Sequence, residues 1–146
     1  MRAVPGIVAA ALFAAACQQQ PAEMRAERAW VRLPAVEGRP GAAYFTVHGG
    51  SAGDTLLRVS TPAAVRTELH ETMDHQGMKS MQPMREAAVP AGGTLAFAPG
   101  GKHVMLFDVG PNVKAGANVP LTLAFASGRT IQVQARVLGP GDPAPE

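Results

Sequence analysis

From Trp30 onward the chain is a series of short apolar runs broken by Gly and Pro. The runs are "RAWVRL" (28–33), "AAYFTVHG" (42–49), "TLLRVS" (55–60), "VRTELHE" (65–71), "TLAFA" (94–98), "HVMLFDV" (103–109), "VPLTLAFA" (119–126) and "RTIQVQARV" (129–137). Several alternate with period two. In the last, Ile131, Val133, Ala135 and Val137 face one way, while Thr130, Gln132, Gln134 and Arg136 face the other, as in a half-buried strand. No window carries a sustained helical stripe with caps. "SGR" (127–129) reads as a hairpin turn and "GPNVKAGAN" as a longer loop. Short strands at this spacing predict an all-β fold, an antiparallel Greek-key sandwich or barrel.

The ends read differently. Residues 1–16, "MRAVPGIVAAALFAAA", carry one positive charge and an apolar run, the pattern of a secretory signal too short to span a membrane as an anchor. Cys17 follows as "AAAC", which resembles a bacterial lipobox with Ala14 in the usual Leu place. A lipidated Cys17 and a polar tether are expected over 17–27, a folded domain over 28–138 and a disordered, Pro/Gly-rich tail over 139–146. The expected location is the periplasm or cell envelope, attached to a bacterial membrane by lipid.

Charge narrows the function classes. Lys and Arg number 13 and Asp and Glu 11, and removing the signal takes away Arg2 and leaves 12 against 11. So balanced a surface argues against a nucleic-acid role, which needs a basic patch. Cys17 is the only cysteine. In an oxidising compartment thiols are exposed to oxidation and exchange, so a thioether is the safer soft metal ligand.

The chemistry gathers in "LHETMDHQGMKSM" (69–81), a stretch with few aliphatic partners that reads as a polar loop. Met73, Met78, Met81 and Met84 supply four of the seven methionines. In "GGKHVMLF", His103 and Met105 are one residue apart on a predicted strand and so leave the same face. His70 ends the preceding strand, and Met81 lies beyond Gly77, where the loop can bring it back over His70. His70, Met81, His103 and Met105 would make a soft site with no anionic ligand. Thioethers suit Cu(I), whereas Mg²⁺ and Ca²⁺ want oxygen and Zn²⁺ recruits thiolate, imidazole or carboxylate. The same residues also have plain readings. Met105 fills cores well, with Phe107 and Val109 continuing its face, and His75 and Met78 can simply be solvated.

The spacing His70, ten residues, Met81, twenty-one residues, His103, one residue, Met105 resembles the H-x10-M-x21-H-x-M signature of the periplasmic copper chaperone family PCu(A)C. "AWVRLP", "GAAYFTV", "ELHET", "MQPM" and "VPAGGTLAFAPGGKHVMLF" are similar to that family too, over about Ala29 to Val137. The resemblance implies a cupredoxin-like sandwich that binds one Cu(I) and passes it to cytochrome c oxidase assembly. The acceptor would be the subunit bearing the CuA centre or a Sco-type assembly factor. Met73, His75 and Met78 would be auxiliary landing ligands, and the imidazoles also accept Cu(II). Two departures stand out. "HGG" replaces the Asn that often follows the "AAYFTV"-like strand, and "GPGDPAPE" lacks the His/Met-rich extension that binds further copper in some members.

Rival readings separate on chemistry. A blue-copper carrier needs a Cys thiolate with two His, and the sole Cys is spent at the anchor. An enzyme is not expected, because no G-x-S-x-G occurs and Asp74–His75 lacks a Ser or Cys partner. Copper sequestration for tolerance shares the same ligands, and a scaffold module with incidental methionines would bind no copper at all.

Overall fold

Each of the eight runs forms a strand in the computed structural model, which describes residues 21–146; the signal segment and Cys17 lie outside the described residues. The strands are β1 (Arg25–Arg32), β2 (Gly41–His48), β3 (Asp54–Ser60), β4 (Ala64–His75), β5 (Met78–Pro83), β6 (Ala87–Val89), β7 (Thr94–Phe97), β8 (Lys102–Val109), β9 (Asn118–Phe125) and β10 (Thr130–Leu138). Their hydrogen-bonded order is β5-β4-β8-β2-β1-β10-β9-β3-β6, with β7 also on β2. The pairing is antiparallel except between β1 and β10. β1 pairs with both β2 and β10, and its register with β2 shifts by a bulge between Glu27 and Trp30, where Arg28 takes φ 53°.

The inward face of each strand supplies the core. Ala43, Phe45 and Val47 of β2, Leu69 of β4 and Val104 and Leu106 of β8 are buried in one cluster with Leu56 and Val59 of β3 and Leu121, Leu123 and Phe125 of β9. Phe45 stacks on Phe97 with ring centroids 4.6 Å apart. Burial of this kind is the main favourable term in folding, and here no disulfide supports it.

The expected polar loop at 69–81 is instead a β-hairpin. β4 runs on to His75, β5 begins at Met78, and only Gln76 and Gly77 turn the chain. Both have positive φ, 55° and 85°, the signature of a type I′ turn whose twist matches that of its flanking strands. Asp74 Oδ1 accepts the Gly77 amide at 2.9 Å and pins the turn.

"HGG" has a structural explanation. His48 Nε2 meets Glu27 Oε1 at 2.6 Å, and this hydrogen bond holds the Glu27 carboxyl below the usual range. A Cβ on Gly49 would lie 2.0 Å from the Pro90 carbonyl oxygen, and one on Gly50 2.7 Å from that of Ala22. Neither position admits a side chain. At the other end, the Arg32 guanidinium donates to the carbonyls of Gly139, Pro140 and Asp142, tying the start of the closing segment to β1.

Candidate metal centre

Strand register brings four separated residues to one face. In β4 Leu69 points into the core, so Arg66, Glu68, His70 and Thr72 point outward. β8 lies beside it in unbroken antiparallel register, which sets Phe107 opposite Arg66, Met105 opposite Glu68 and His103 opposite His70. On the other side β5 sets Met81 opposite Thr72 and Pro83 opposite His70. Directly opposed residues share a face. His70, His103, Met105 and Met81 therefore all leave the outer side of the β5-β4-β8 strip, with Met81 on the diagonal from His70.

The two imidazoles are built as a pair. Their ring centroids are 5.9 Å apart. Two rings each bonded through one nitrogen to a shared ion at about 2.0–2.1 Å would have centroids roughly 5–6 Å apart. His103 is only 5% exposed although it stands on the outer face. Its Nδ1 lies 3.0 Å from the Gly101 carbonyl, which can only accept, so Nδ1 carries the proton and Nε2 the lone pair. His70 is arranged the other way round. Its Nε2 donates to the Glu68 carboxylate at 2.9 Å, leaving the lone pair on Nδ1. The two lone-pair nitrogens, His70 Nδ1 and His103 Nε2, are the buried side-chain nitrogens and oxygens left without a partner among the described residues. A buried polar atom without a partner is costly unless something else occupies it.

Glu68 is itself held. Its other oxygen pairs with Arg66, whose guanidinium lies 3.8 Å over the Phe107 ring. Arg66, Glu68 and His70 thus form a chain of contacts along one strand, ending on the His70 ring. Such outer partners fix the tautomer and aim of a metal-binding imidazole. Burial also pushes the His70 imidazole below its usual proton affinity and so favours the neutral form a metal requires. Among the described residues no group of three or more His, Cys, Asp and Glu side chains is arranged to hold a metal. The soft donors on this face besides the two imidazoles are the Met81 and Met105 thioethers. Met105 is half-buried beside His103, and Met81 is 61% exposed at the open edge.

The three residues read as auxiliary ligands are not brought to this face. His75 opposes Met78 and Met73 opposes Ser80, which puts Met73, His75 and Met78 on the other side of the hairpin from Thr72 and Met81. Glu68 and the Gly101 carbonyl were missed from sequence. The signal for Glu68 was present in "ELHE", because Glu and His two apart on a strand share a face. A backbone carbonyl leaves no such trace.

Known proteins agree with this architecture. Residues 24–137 match a family model described as "Putative lipoprotein LpqE-like". Lxx21020 of Leifsonia xyli subsp. xyli (strain CTCB07), also named as a lipoprotein, is 32% identical over 133 residues, which cover 88% of this chain and 80% of that protein. The copper-bound PCuAC domain from PmoF2 is similar in fold, with a TM-score of 0.66 at 21% identity over 83% of this chain and 97% of that one. The Cu(I) form of DR1885 from Deinococcus radiodurans gives a TM-score of 0.62 at 32% identity over 85% and 83%. The fold is the cupredoxin-like sandwich expected. On a match spanning most of the folded chain, this protein belongs to the LpqE-like family, of PCu(A)C type.

Proposed function

We propose that the protein is an extracytoplasmic copper chaperone, not an enzyme, and that His70, Met81, His103 and Met105 hold one Cu(I). The observation that carries this reading is the pair of buried, unpartnered nitrogens on two imidazoles with centroids 5.9 Å apart, with two thioethers on the same face of the sheet. Two neutral imidazoles and two neutral thioethers form a soft donor set that favours Cu(I) over Zn²⁺. Copper-bound relatives of the same fold support the choice of cargo.

The gradient of exposure suits handover. His103 is buried and fixes one end of the site, while Met81 sits in solvent on a hairpin edge. An acceptor ligand would approach from that side and displace Met81 before the imidazoles. Thioethers hold copper less firmly than thiolates, so transfer to a site containing Cys runs downhill. The acceptor proposed is the cytochrome c oxidase CuA centre or a Sco-type factor that assembles it. Lipidation at Cys17, after removal of residues 1–16, would keep the domain at the membrane. The lipoprotein names of its relatives support that anchor.

Competition with a Cu(I) chelator tests the ligand set. His103→Ala and Met105→Ala should each weaken Cu(I) binding far more than His75→Ala, which lies on the other face. Equal losses for His75→Ala and His103→Ala would overturn it.

A further inference from the structure

The far face of the β4–β5 hairpin carries its own collection of soft donors. His75 and Met78 form the last cross-strand rung before the turn, and Met73 stands one rung inward on the same face, opposite Ser80. Directly opposed residues have Cβ atoms about 4.5–5.5 Å apart, close enough for an imidazole and a thioether to meet at one ion. The rung is fixed rather than floppy, because the type I′ turn follows it immediately and Asp74 holds that turn through the Gly77 amide.

None of these three side chains belongs to the core cluster or packs against it. Met78 is 76% exposed and His75 is exposed, beyond the reach of the core cluster. His75 has no side-chain hydrogen bond or ion pair among the described residues, in contrast to His48, His70 and His103. Glu71, the nearest carboxylate on that face, is engaged by Lys102 at 3.0 Å. The donors left free there are two thioethers and one imidazole.

We propose that Met73, His75 and Met78 form a second, weaker Cu(I) site on the opposite side of the hairpin from the first. It rests on the copper reading for its cargo but shares no residue with the first site. The β-sheet backbone separates the two donor sets, so one ion cannot draw ligands from both. Two exposed ligands and a half-buried Met73, with no buried imidazole among them, make a site that fills after the first. The second set thus holds an ion of its own.

Ag(I), a redox-inert soft monovalent ion, is the probe, followed by NMR of the methionine methyl and histidine ring resonances. In the intact protein the first equivalent should move Met81, Met105, His70 and His103, and the second should move Met73, Met78 and His75. The double variant Met73→Leu/Met78→Leu keeps apolar volume at half-buried Met73 and exposed Met78 and should bind only the first equivalent. His75→Ala should weaken the second step by at least the roughly tenfold loss typical of an outer-shell partner. A second equivalent that leaves Met73, Met78 and His75 unmoved, or that binds the double variant unchanged, would overturn the second site. A first equivalent that leaves Met81 and Met105 unmoved would instead strike at the proposed function.

Discussion

Removing Glu68 should weaken copper binding although Glu68 would not touch the metal. Its carboxylate accepts a hydrogen bond from His70 Nε2–H at 2.9 Å and so leaves the buried Nδ1 as the lone-pair nitrogen. A hydrogen bond to a charged group is worth about 1.5–3 kcal/mol when well shielded. The Glu68 side chain is 39% exposed, so solvent screening brings the contribution to the low end of that range. Loss of an outer-shell partner lowers metal affinity by roughly 10–100-fold. Glu68→Ala should therefore cost about tenfold in Cu(I) affinity, or about 1.4 kcal/mol. Glu68→Gln should cost less, because an amide oxygen still accepts from Nε2. Chelator competition gives the affinities, and the ¹⁵N shifts of the His70 ring give its tautomer. If Glu68→Ala binds Cu(I) within twofold of the wild type and His70 still carries its proton on Nε2, Glu68 does not set the ring.

Three further expectations follow from the same structure. Gly77→Ala meets no atom within 4 Å but places a side chain at φ 85°, so it should lower stability by about 1 kcal/mol and loosen Met81, read by denaturant unfolding and Cu(I) competition. Leu123→Ala, in the core away from the site, should lower stability by about 3–5 kcal/mol while Cu(I) affinity at saturating fold stays unchanged. Because burial lowers the His70 proton affinity in the fold, the unfolded chain binds more protons once the pH falls below about 6.5. Apo stability should thus be full above that pH and decline below it, down to the folded value, and His70→Asn should flatten the decline in a series of urea melts at different pH.

Much of the fold was legible because the core strands alternate cleanly. β10, with Ile131, Val133, Ala135 and Val137 turned from solvent, is the plainest case. β5 was not legible, since all six of its residues are exposed and no apolar alternation marks "MKSMQP". Its turn hid as well, because Gln-Gly is a weaker signal than Asn-Gly for the same geometry. β6 is three residues long and falls below what a pattern can mark. The spacing of the four candidate ligands was readable from sequence, and for His103 and Met105 so was their common face. The meeting of β4, β5 and β8 depends on register. A slip of one residue there would have sent Met81 to the far side and brought Met78 across.

X-ray absorption at the copper edge, on the protein loaded with one equivalent of Cu(I), reads the donor atoms around the metal. The four-residue site predicts two nitrogen scatterers at about 2.0 Å and two sulfur scatterers at about 2.3 Å, the ranges usual for late first-row ions. Met81→Leu should remove one sulfur and leave both nitrogens. A shell of nitrogen and oxygen alone in the wild type, or a sulfur count untouched by Met81→Leu, would contradict the site.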